Sequence, residues 1–137
     1  MRRNFKPGPV TLAIPLLLLT GSTESSAPEL LCVAQIAADC AGDGLCEIGD
    51  PKGIDMPPFI AVDLQKREIG TREPDGSVRT SKVRSLERGS GRLILSGIEE
   101  GRPWGIVISE QSGHMTATVA DDGTGFAVFG HCTPYPS

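Results

Sequence analysis

The run Trp104-Gly105-Ile106-Val107-Ile108-Ser109-Glu110-Gln111-Ser112-Gly113-His114-Met115-Thr116-Ala117-Thr118-Val119 decides the fold class. Trp104, Ile106 and Ile108 recur at every second position, as do Met115, Ala117 and Val119, and Gln111-Ser112-Gly113 separates the two series. Successive Cβ atoms of an extended chain point to opposite sides, so a period of two puts each series on one face of a strand. The intervening positions are mostly Gly, Ser, Thr or His. The segment therefore reads as a β-hairpin with one apolar face.

The same pattern extends outward in both directions. Leu86 reaches Leu93-Ile94-Leu95 across Arg88-Gly89-Ser90-Gly91, and Ile98 reaches Trp104 across Glu99-Glu100-Gly101. Val119 reaches Phe126 across Asp121-Asp122-Gly123, after which Phe126 and Val128 share a face. Upstream, Phe59 to Leu64 turns into Lys66 to Ile69, and Pro74-Asp75-Gly76 precedes a further rise at Val78. Short apolar runs separated by turn chemistry at close intervals predict hairpins rather than βαβ units. The expectation is an all-β domain, an antiparallel meander of about seven or eight strands over residues 57–137. A Cys-containing strand and loop, residues 28–56, packs with the meander as one domain. A sheet with one apolar face must bury it, as a small barrel or a sandwich. The barrel is preferred because pairing first strand with last removes exposed edges. Within 137 residues, 17 Gly and 11 Pro, with no sustained 3.6-residue apolar period after the N-terminus, exclude a helical bundle.

The N-terminus reads as an export signal. Arg2, Arg3 and Lys6 precede an apolar run from Val10 to Leu19, which is followed by polar and small residues. The run is about half the length needed to cross a bilayer, so no transmembrane anchor is expected. Cleavage is placed after Ala27 or after Ser22, giving a signal peptide of residues 1–27 and a periplasmic or secreted domain. Leu31 before Cys32 and Glu29 upstream do not fit a lipoprotein signal.

All four cysteines, Cys32, Cys40, Cys46 and Cys132, lie beyond that point. An even number in a small exported domain reads as two disulfides. Their spacings lack the paired C-x2-C knuckles of structural zinc sites, and no metal or other cofactor is expected. Three pairings are open. Cys40 with Cys46 across a Gly-Asp-Gly turn, together with Cys32 and Cys132 near opposite ends of the chain, is preferred because the long loop gives the larger entropic gain.

The formal charge of -4 argues against nucleic acid as a partner. Its distribution is uneven: residues 66–92 hold eight basic residues against Glu68, Glu73, Asp75 and Glu87. Arg79, Lys82, Arg84, Arg88 and Arg92 form the candidate ligand-binding patch, directed at an anionic envelope component or a protein partner. A solvated edge strand kept from aggregating by its charges is the plainer account of the same residues. Val83 and Leu86 have opposite parity, so an irregularity, expected as a β-bulge, separates them. The pattern neither demands nor excludes an oligomer.

No G-x-S-x-G or S-x-x-K motif is present, and no base oriented by a third group accompanies a nucleophile, so an enzyme is not expected. Asp39, Asp43, Gly44 and Asp50 match a calcium-loop template only in part and read better as a disulfide-closed turn.

The segments Pro57-Pro58-Phe59-Ile60-Ala61-Val62-Asp63, Leu93-Ile94-Leu95, Gly101-Arg102-Pro103-Trp104 and Asp122-Gly123-Thr124-Gly125-Phe126-Ala127-Val128-Phe129-Gly130-His131-Cys132-Thr133 resemble a group of small exported bacterial disulfide-containing β proteins of unassigned function. The resemblance implies an exported β domain and carries over no site residue. In architecture the chain is also similar to periplasmic lysozyme inhibitors, but their Trp-x-Lys-Gly stretch is not matched: Trp104 is followed by Gly105, Ile106 and Val107. The expected function is an exported non-enzymatic binding or envelope-accessory domain. The alternative is a secreted inhibitor of a lysozyme-like or other envelope enzyme, presenting acidic hairpins such as Glu99-Glu100 or Asp121-Asp122.

Overall fold

Ten strands form one antiparallel sheet in the computed structural model, which describes residues 29–134 and the isolated positions 8, 9, 11 and 21. The expected signal peptide, residues 1–27, otherwise lies outside the described residues. The strands are β1 (Glu29–Ala41), β2 (Cys46–Gly49), β3 (Phe59–Asp63), β4 (Glu68–Arg72), β5 (Val78–Lys82), β6 (Ser85–Gly89), β7 (Arg92–Glu99), β8 (Arg102–Ser109), β9 (His114–Asp121) and β10 (Thr124–Pro134). Every hairpin expected from residue 57 onward is present. Eight of the strands, β3 to β10, make up the meander expected over residues 57–137, and the Cys-containing segment before it supplies two, β1 and β2, where one strand and a loop were expected.

The sheet order is β5-β4-β3-β1-β10-β9-β8-β7-β6, with β2 on β1. The long first strand pairs with β10 along almost its whole length, with β3 through its first half and with β2 through its second. The strands form one continuous sheet that curls into a half-barrel. Its inner face carries Ile60, Val62, Leu93, Leu95, Trp104, Ile106, Ile108, Met115, Ala117 and Val128, all buried. The two expected disulfides are formed. Cys32 and Cys132 are cross-strand partners in β1 and β10, and Cys40 and Cys46 are partners in β1 and β2.

A register shift in β1 between Ala34 and Ile36 leaves Gln35 unpaired. This β-bulge changes which parity faces inward: Cys32 and Ala34 are buried before it, Ala37 after it. Opposite lies Gly130, where an added Cβ would strike the Val33 carbonyl.

The edge strands β5 and β6 are consecutive in sequence. They are joined by Val83 and Arg84, whose amides donate to Arg67 O (3.0 Å) and Ser96 O (2.8 Å). This is the irregularity expected between Val83 and Leu86, but it is a corner rather than a bulge. The chain stops pairing with β4 and starts pairing with β7. Because β6 reaches only Ser96 on β7, the last residues of β7 lack a ladder partner on that side. Trp104 covers this seam: its indole Nε1 donates to Ser81 Oγ on β5 at 3.2 Å. Gly97, the cross-strand partner of Trp104, makes the crossing possible. An added Cβ there would collide with the indole and stand 2.5 Å from Lys82 O. Neither a backbone carbonyl nor a packed indole can move aside cheaply, so Gly97→Ala is expected to cost about 3 kcal/mol, at the upper end of overpacking. Urea unfolding checks this, and a loss below about 0.5 kcal/mol would show that the seam relaxes freely.

On the outer face, Ile36, Phe129, Thr116, Val107 and Ile94 fall in one register row across β1, β10, β9, β8 and β7, and the four apolar members are exposed.

Candidate functional site

The half-barrel has two ends. Strand directions place the turns β4–β5, β7–β8 and β9–β10 at one end with the segment linking β2 to β3; the turns β3–β4, β6–β7 and β8–β9 lie at the other. The first end opens into a cavity of about 470 Å³. Its wall is the inner face of the sheet, Ile60, Ile69, Trp104, Ile106, Val119 and Val128, extended by Phe126. Alternation explains this wall: the inward residues continue past the packed core towards the strand ends, and the small side chain of Ala117 on the same face leaves room.

One side of the mouth is formed by the segment after β2. Asp50 Oδ1 accepts the Lys52 amide at 2.9 Å and caps a 3-10 turn, Pro51–Ile54, which ends at Asp55 in the left-handed region (φ 54°). The Met56 amide then donates to Pro51 O at 3.1 Å, and Pro58 O accepts the Ala34 amide at 2.9 Å. These bonds hold Ile54, Asp55, Met56 and Pro57 against the opening.

The rim is charged. Arg79 Nη2 stands 3.3 Å from Glu73 Oε1, an ion-pair contact without hydrogen-bond alignment, so Oε1 is shielded from solvent yet has no hydrogen-bond partner. Arg102 bridges two hairpins, with Nη2 3.4 Å from Glu100 Oε2 and Nη1 3.9 Å from Asp121 Oδ2. Asp55 and Glu99 also line the mouth, and among the described residues neither has a salt-bridge partner. In the neighbouring turn the Ser77 hydroxyl and amide donate to Asp75 and hold its carboxyl below the usual value.

The five cations expected to form one patch are not brought together as a group. Arg79 alone lines the mouth, engaged with Glu73. Lys82 is in register with Glu68 at the end of β5, and Arg84 is exposed at the corner. Arg88 is held 2.6 Å from Glu110 near the opposite end, where Arg92 begins β7. His114 and His131 are cross-strand partners with ring centroids 5.9 Å apart. Among the described residues no group of three or more His, Cys, Asp or Glu could hold a metal ion, and no helix is long and apolar enough to cross a membrane.

The mouth itself was not legible in the sequence. Its apolar wall comes from five strands, β3, β4, β8, β9 and β10, and the segment after β2, and each apolar residue of those strands reads singly as core. The one local signal was Ile54-Asp55-Met56-Pro57, apolar residues in a segment without strand alternation. Comparison with known proteins adds no assignment: no family model matches the chain, and no curated protein or solved structure is significantly similar to it.

Proposed function

We propose that the chain is an exported, non-enzymatic binding domain that receives the apolar part of a ligand in the mouth of the half-barrel. The observation that carries this reading is the cavity of about 470 Å³, walled by aliphatic and aromatic side chains and rimmed by a few polar groups. Ligand sites are typically of this size and character, preformed, and found in the mouths of β-barrels. Export is supported by two disulfides, which persist in oxidising compartments, and by the basic and then apolar N-terminal sequence.

Titration with N-phenyl-1-naphthylamine, a neutral aromatic probe, is expected to give saturable binding at one site per chain. Thr71→Trp and Val119→Trp place an indole at two half-buried positions of the mouth. Each is expected to weaken the probe at least about tenfold while leaving cooperative unfolding intact. No saturable binding, or unchanged binding in both folded variants, would count against the mouth as the site.

A second reading draws on the placement of the acidic hairpins. Glu99-Glu100 and Asp121-Asp122 lie side by side, bridged by Arg102, and offer one negative surface to a basic protein. Saturable inhibition of a lysozyme-like enzyme, lost on charge reversal of Glu100 and Asp122, would favour an inhibitor. An envelope extract passed over the immobilised domain with and without mouth-filling substitutions separates the two readings.

A further inference from the structure

Resting on the mouth as the binding site, we propose that it selects ligands in which an apolar group carries a cationic head. The argument is one of charge at the rim. The four segments around the opening contain Asp50 and Asp55, Glu73 and Asp75, Glu99 and Glu100, and Asp121 and Asp122. Against these eight carboxylates stand Lys52, Arg72, Arg79 and Arg102, a balance near -4 around the opening. An even distribution of charged groups would not produce this, because the basic residues of β6 and the adjoining turns lie away from the opening.

The two arginines that line the opening do not offer free positive charge. Arg79 is matched by Glu73, and Arg102 is shared between Glu100 and Asp121. An anionic head would have to displace one of these carboxylates while lying in the field of the others. A cationic head meets the opposite situation: Asp55 and Glu99 line the mouth, and among the described residues neither has a salt-bridge partner to be displaced. Low-dielectric walls concentrate the field of rim charges into a cleft. Trp104 and Phe126 in the wall add aromatic rings, a residue type to which cations are drawn. The ligand class is therefore an amine or quaternary ammonium attached to an alkyl or aromatic group.

The test uses three probes with one tail: decyltrimethylammonium, decanol and decyl sulfate, each below its aggregation threshold and titrated by calorimetry. The expected order is ammonium, then decanol, then sulfate, with the ammonium at least about tenfold tighter than decanol at low ionic strength. That advantage should shrink severalfold in about 0.5 M salt, because rim charges are partly solvent-exposed and screened. The Asp55→Asn, Glu99→Gln double variant is expected to bring the ammonium-to-decanol ratio towards one. The Thr71→Trp variant is expected to abolish the tight ammonium phase, and its persistence there would show surface adsorption and overturn the proposal. Decanol binding without preference for ammonium, or preference for sulfate, overturns the charge selection and leaves the mouth as a site. Failure of all three to bind overturns both.

Discussion

Replacing Cys32 and Cys132 together by Ala is expected to remove about 4–5 kcal/mol of stability, a large part of the roughly 5–15 kcal/mol that native domains possess. The bond joins residues 100 positions apart, and a loop of that length loses about 4.7 kcal/mol of closure entropy in the unfolded chain. The folded state adds to the loss. Cys32 is fully buried and Cys132 nearly so, and they pair β1 with β10, the contact that ties the first strand to the last. The comparison that checks the cause is the Cys40→Ala, Cys46→Ala variant, whose bond spans six positions. The same relation gives about 2.4 kcal/mol for it, and an exposed hairpin at the end of β1 contributes little packing. Urea denaturation of the oxidised parent and the two variants measures both. An equal loss from the two pairs would mean that loop length is not what the long bond contributes.

Trp104→Ala is expected to cost about 3–5 kcal/mol, the range for truncating a buried aromatic side chain. Trp104 is only 8% exposed, packs over Gly97 and bonds Ser81 across the seam. Its removal uncovers the edge of β7 and takes a wall from the cavity. The variant should also release the apolar probe, whereas Gly97→Ala should act mainly on stability. The two substitutions share one contact, so their costs are expected not to add. In the Trp104→Ala background the indole clash is gone and only the approach to Lys82 O remains, so Gly97→Ala should cost less there than in the parent. Additive losses would show that the indole does not lie against Gly97 in solution. Trp104 is the only tryptophan, so its fluorescence follows the seam directly in the parent chain.

The class of fold was legible in the sequence because its causes are local. Alternation of Trp104, Ile106 and Ile108, or of Met115, Ala117 and Val119, is a property of neighbouring residues, and so is the turn chemistry of Ser112-Gly113 or Asp122-Gly123. Each hairpin from residue 57 onward followed from these signals alone. The preference for pairing Cys32 with Cys132 follows from loop length, a global argument but a simple one. Even the break between Val83 and Leu86 left a trace, since the parity of the inward residues changes there.

What only the tertiary structure decided is how these strands close and what they enclose. The sequence cannot distinguish a bulge from a corner at Val83, because the difference lies in which neighbour the next residues pair with, β4 or β7. Gly97 reads as one more glycine until an indole from one side and the Lys82 carbonyl from the other meet over it. The basic stretch from Arg79 to Arg92 is continuous along the chain, yet folding sends Arg79 to the mouth, Arg88 to Glu110 and Arg92 to the far end. The acidic residues behave in the opposite way: Asp55, Glu73, Glu99 and Asp121 are scattered in sequence and gathered at one opening. Local patterning sets which face of a strand is buried, but proximity between strands depends on curvature and closure. Those arise from the summed packing of the whole sheet.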